Sequence, residues 1–199
     1  MINKKMETTT TTTTNETLKF TGYDAVHLFG ALSMVSTLIY LLSRYGTTYP
    51  IELIILGVAF MAYLLLSSVS KKYWLRIRYY DWFITVPLLV YIVAQYGTVP
   101  FWALGGLAFL MLAAGFIGVL GKKVNYNMLI VFGFLFYIAF YGLLLGSHNT
   151  LPWWIYIFFF TWAIYGIVDR LEGPKDHWAY TALDILNKPV FIILLLQVI

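Results

Sequence analysis

The chain is predicted to be all-α, a bundle of seven transmembrane helices, and three observations carry that expectation. Its 199 residues are 61% hydrophobic and only 11% charged, outside the range of a soluble domain. Apolar runs of about 20 residues, the length that crosses a bilayer as a helix, recur at 22–43, 50–69, 73–95, 99–120, 126–145, 151–168 and 178–199. The connections between these runs are short, so neighbouring helices are expected to be antiparallel and packed into one bundle.

Residues 1–21 read as a disordered threonine-rich tail: Thr8 to Thr14 are consecutive threonines, without the basic-then-apolar layout of a signal peptide. The seven-helix membrane domain is expected over 22–199. The first run carries His27, read as a packing or interface residue. The second opens beside Pro50 and Glu52 and contains Tyr63. In the third, Arg78, Asp81, Trp82, Thr85, Leu89 and Ile92 fall within one narrow stripe at 100° per residue. Charges on such a stripe must face the interior of the bundle rather than lipid.

The sixth run contains Trp162 and Tyr165, followed by Gly166. The last holds Asp184 and, one turn later, Lys188. A lysine at the centre of a membrane helix costs roughly 2.5–3.5 kcal/mol on insertion scales, so it needs a partner or a chemical reason. Together Arg78, Asp81, Asp184 and Lys188 make a neutral set, the condition under which a low-dielectric interior tolerates buried charge. An ion-pair cluster pinning two helices together is one reading. Trp82, Trp162 and Tyr165, able to wall a flat pocket beside Lys188, favour a binding site.

Other classes are excluded or unsupported. There is no cysteine, hence no disulfide and no thiolate metal site, and no metal site is expected. The net charge of +4 is too small to suggest nucleic-acid binding. Basic residues gather on the N-terminal side (Lys4, Lys5, Lys19, Lys71, Lys72, Lys122, Lys123, Arg170, Lys175), while the opposite loops hold only Arg44. The positive-inside rule alone would make the N-terminus cytoplasmic.

Arg78-Tyr-x-Asp81-Trp82-x-x-Thr85-x-Pro87-Leu-Leu resembles the third-helix signature of microbial rhodopsins. Leu183-Asp184-x-x-Asn187-Lys188-x-x-Phe191 is similar to their retinal-attachment helix, with Asn before Lys as in the proteorhodopsin-like branch, and Trp162-x-x-Tyr165 to their sixth-helix pair. The resemblance covers all seven runs. It implies all-trans retinal bound covalently to Lys188 as a Schiff base, with Asp81 as primary counterion and first proton acceptor and Asp184 as second counterion. It further implies Arg78 as the balancing charge, Thr85 as a hydrogen-bonding neighbour of Asp81, and Trp82, Leu89, Met111, Trp162 and Tyr165 along the polyene. Tyr63 matches the tyrosine that hydrogen-bonds the second counterion.

Departures from the family pattern matter as much. Outward pumps usually carry a carboxylic acid eleven residues after the counterion; here that position is Ile92, which cannot donate a proton. Glu52 lies eleven residues before Tyr63 on the antiparallel second helix, so it is expected at the depth of Ile92 and is the candidate proton-uptake group. Asp176, Glu172 and Asp169 are candidates for proton release. Gly166 stands where many relatives have a helix-kinking proline; glycine still allows bending there but does not enforce the sixth-helix motion that a proline would. His27, His148 and His177 match no counterion-coupled histidine.

The resemblance implies a photoreceptor rather than an enzyme, and first among its functions a light-driven outward proton pump. A light-gated cation channel and a slow-cycling photosensor are the alternatives. The implied partners are the lipid bilayer, protons or small cations, and further copies of the chain as a trimer or pentamer. The family topology places the N-terminus outside the cell, against the distribution of basic loops.

Overall fold

The computed structural model describes residues 22–120, 126–146, 151–168 and 174–198. The expected runs appear as α1 (Gly22–Tyr45), α2 (Pro50–Ser68), α3 (Trp74–Ala94, entered by a 3₁₀ turn at Lys71–Tyr73), α4 (Phe101–Leu120) and α5 (Tyr126–Leu145). The last two runs are interrupted: the sixth is α6 (Trp153–Phe160) and α7 (Trp162–Val168), the seventh α8 (Pro174–Ile185), a π turn over Leu186–Val190, and α9 (Phe191–Val198). No strand occurs among the described residues. Six spans are long and apolar enough to cross a membrane, and Trp153–Val168 is a shorter apolar helix. The protein is therefore an integral, multi-pass membrane bundle of seven helices.

Consecutive helices pack in order, and α8 returns against α1, so the bundle closes on itself. Its polarity is that of a protein dissolved in lipid. Leu28, Phe29, Ile39, Phe109, Val131 and Ile138 are exposed, whereas Arg78, Asp81, Asp184 and Lys188 are buried. Trp102 and Trp153, the most exposed aromatics, stand at helix ends, where indoles anchor to the interface.

The two interruptions have local causes. Thr161 folds its hydroxyl back onto the Phe158 carbonyl at 2.6 Å, a bond that competes with the helical ladder. The interruption thus falls five residues before Gly166, which sits inside α7 with the Phe134 ring close to where a Cβ would project. Pro189 has no N–H to return to the Ile185 carbonyl, and the π turn absorbs the missing bond. That turn contains Lys188, so its amine is aimed by a backbone irregularity as well as by register. The seventh span also begins earlier than position 178, because Pro174 suits the first helical position.

Candidate functional site

The α3 stripe is buried along its whole length: Arg78, Asp81, Trp82, Thr85, Leu89 and Ile92 are all in the interior. Across from it, α8 and the π turn present Asp184, Asn187 and Lys188, also buried. The four charges meet. Lys188 Nζ donates to Asp81 Oδ2 and lies 3.8 Å from Asp184 Oδ1. Arg78 Nη1 reaches Asp184 Oδ2 at 3.1 Å.

The two carboxylates are held very differently. Asp184 accepts from four groups: Tyr63 Oη at 2.9 Å, Tyr165 Oη at 2.9 Å, Trp82 Nε1 at 3.2 Å and Arg78 Nη1 at 3.1 Å. Asp81 has its Oδ2 on Lys188, while its Oδ1 is buried with no hydrogen-bond partner. Thr85 does not supply one, because its hydroxyl donates to the Asp81 main-chain carbonyl at 3.0 Å. Arg78 is also covered on its faces, with Cζ 5.0 Å from the Tyr180 ring and 5.4 Å from the Tyr63 ring, within cation–π range.

Beside the ion pairs lies a cavity of about 130 Å³ whose lining includes Trp82, Leu89, Met111, Trp162, Tyr165 and Lys188. Trp162 stacks on Phe140 at 5.4 Å and Tyr165 meets Trp82 edge-on at 5.1 Å, so both indoles are held by a neighbouring ring. An apolar slot of this kind, ending at a buried primary amine with two carboxylates beside it, suits a flat polyene aldehyde. The residues present fit retinal.

Tyr63 does not line this cavity; its phenol lies with Asp184 and Arg78. Glu52 stands apart from the ion pairs, in the first turn of α2, and is only 7% exposed. Burial, then the neighbouring Glu52 carboxylate and Tyr49, push the Tyr96 phenol upward. Tyr96 is one turn beyond Ile92, so Glu52 belongs to that end of α3. Asp169, Glu172 and His148 lie outside the described residues, as does the side chain of Asp176.

Two contacts were hidden in the sequence. Trp82 and Tyr165 read as pocket walls, yet both also donate to Asp184. Tyr180 was not singled out, although it precedes Asp184 by one turn and so shares its face.

The sequence profile of the bacteriorhodopsin-like protein family matches residues 14–199, and the chain belongs to that family of microbial rhodopsins. None of the curated proteins compared with it matches. Among solved structures it is similar to the viral rhodopsin OLPVRII, at 22% identity over 86% of this chain and 94% of that one, TM-score 0.75. It is also similar to a cyanorhodopsin from the cyanobacterium Calothrix, at 20% identity over 89% and 95%, TM-score 0.74. The transmembrane domain of a Salpingoeca rosetta rhodopsin phosphodiesterase gives 15% identity over 88% and 83%, TM-score 0.74. At these identities the likeness is one of fold.

Proposed function

We propose that the protein is a retinal-binding, light-driven outward proton pump in which Lys188 carries the chromophore and Asp81 is the first proton acceptor. The observation that carries this reading is the unequal treatment of the two carboxylates. Asp184 is saturated by four donors, and each hydrogen bond to a charged group is worth about 1.5–3 kcal/mol. Protonating it would forfeit several of these at once. Asp81 would forfeit one partner, the very group that gives it the proton.

Lys188, Trp82 and Trp162 would hold retinal, which would supply the absorption of visible light and a change of shape on isomerisation. The chain's own groups then direct the proton. Transfer from Lys188 Nζ to Asp81 Oδ2 runs along an existing hydrogen bond and removes two opposite charges together, leaving the interior neutral. Asp184 keeps its charge, balanced by Arg78. Glu52 is the uptake group that replaces the absent carboxylic acid at Ile92. Its burial in α2 and its place at the Tyr96 end of α3 support that role. Outward transport requires the N-terminus outside, the orientation this reading adopts.

A light-gated cation channel is the competing reading, favoured by the apolar Ile92 at the donor position. Cells expressing the protein and supplied with retinal, illuminated in unbuffered medium, should acidify it, with the signal abolished by a protonophore and by Lys188→Ala. A photocurrent under voltage clamp that reverses with the ion gradients would overturn the pump in favour of the channel.

A further inference from the structure

Two polar stripes lead away from the ion pairs toward the end of the bundle where α1, α3 and α8 begin. On α8, Asp184, Thr181 and His177 follow at spacings of three and four residues, one helix face over two turns and about 10 Å. On α3, Asp81, Arg78 and Trp74 repeat the same spacing. His27, from α1, joins them: its ring meets Trp74 edge-on at 4.6 Å and lies 5.6 Å from His177 and 6.4 Å from Tyr63. His177 in turn is 4.3 Å from Trp74 and 5.1 Å from Tyr23. The Tyr63 hydroxyl, bonded to Asp184 and Arg78, has the Thr181 hydroxyl beside it.

Packing alone does not explain the chemistry of His27. Its side chain is fully buried, and by strict geometry neither ring nitrogen has a hydrogen-bond partner among the described residues, although the Leu66 main chain lies close to the ring. On the adjoining stripe, Nε and Nη2 of Arg78 are equally unpartnered. Leaving one buried polar group unsatisfied costs about 1–3 kcal/mol. A phenylalanine would fill the space among Trp74, Tyr63 and His177 without that cost. The charged and titratable groups around the His27 imidazole are Asp24 on α1, Tyr63 on α2, Arg78 on α3 and His177 on α8, with Lys71 on the 3₁₀ turn beside His177. His177 is the outward member, only half-buried, and Lys71 Nζ sits 3.5 Å over the Tyr23 ring beside it.

We propose that His27 and His177 form a proton-exit station of the pump: a proton leaving the level of Asp184 and Arg78 is accepted by His27, passed to His177, and given to water beside Tyr23 and Lys71. The proposal rests on the pump reading above. Asp81 gives its proton through water to the Tyr63 oxygen, while the Tyr63 hydroxyl, turning away from Asp184, gives its own through water to the unprotonated ring nitrogen of His27. Each transfer makes one N–H or O–H bond as another breaks, no electrons change hands, and both imidazoles end neutral. The exit thus runs through imidazoles between α1 and α8.

The test uses the full chain, carrying retinal, in lipid vesicles with isotope-labelled histidine. Flash-induced infrared difference spectra are recorded together with a water-soluble pH dye. The unmodified protein should show imidazolium bands that rise after Asp81 is protonated and decay as the dye reports the released proton. His27→Gln should abolish the first of these bands and delay release by about 100-fold. An unchanged visible absorption maximum would show that the variant is folded. His177→Gln should instead prolong the His27 band. Histidines that stay neutral throughout the cycle of the unmodified protein, or His27→Gln releasing its proton on schedule, would overturn the proposal. A failure of the pump reading is distinct, because it abolishes net acidification in unmodified protein. A protein that releases no proton after a flash overturns both.

Discussion

Asp81 separates two unlike halves of the bundle interior. Toward the start of α3 the interior is crowded with hydrogen-bonding groups: Arg78, Tyr63, Asp184, Tyr165, Thr181 and the two histidines. Toward its end Leu89, Val90, Ile92 and Val93 are buried in one apolar core with Phe158, Phe191 and Leu195, and Glu52 is buried at the far side. A void of about 10 Å³ beside Leu89, Asn187 and Phe191 has room for one water at the lower limit. In the proposed pump, a proton released from Lys188 meets a dense set of partners on one side and a mostly apolar interior, broken by Thr85, Asn187 and Thr161, on the other. Direction is thus built into the distribution of polar groups before any motion occurs.

Substitutions can sharpen that contrast. The largest effect is expected from Asp184→Asn, which leaves Arg78 buried without its carboxylate and replaces one of the two oxygens that accept its four bonds with an NH2 donor. Breaking a buried pair from one side costs about 3–5 kcal/mol, read as a fall in the temperature of thermal bleaching. Asp81→Asn, losing a single partner, should fall clearly less while abolishing proton transport. Equal losses from the two variants would erase the distinction between the carboxylates.

A smaller effect is expected in the apolar half. Glu52→Gln removes the only carboxyl that the described residues place at that end of α3, so decay of the deprotonated intermediate should slow by about 100-fold, with stability little changed. Flash photolysis at pH 7 reads the decay directly. A photocycle like that of the unmodified protein would exclude Glu52 from proton uptake.

How far the sequence foretold this arrangement follows from what each feature depends on. Transmembrane runs are composition written in blocks of about 20 residues, and the α3 stripe is one helical periodicity, so both were legible. The break at Thr161 and the π turn around Lys188 depend on which backbone bond a side chain or a proline displaces, and apolar runs do not record that. Trp82 and Tyr165 were expected as walls because a chain that is 19% aromatic makes any one ring look like packing. Their hydrogen bonds to Asp184 emerge only when α3, α7 and α8 meet. The histidine pair left a trace, His177 standing seven residues before Asp184, but its partner on α1 had no periodic link to it.

The measurement that bears most directly on the account is the light-induced infrared band of a protonated carboxylic acid, compared in the unmodified protein, Asp81→Asn and Asp184→Asn. The band should appear in the unmodified protein, vanish in Asp81→Asn, and persist in Asp184→Asn wherever that variant still forms pigment. A band that survives Asp81→Asn and is lost in Asp184→Asn would give the proton to the other carboxylate and contradict the account.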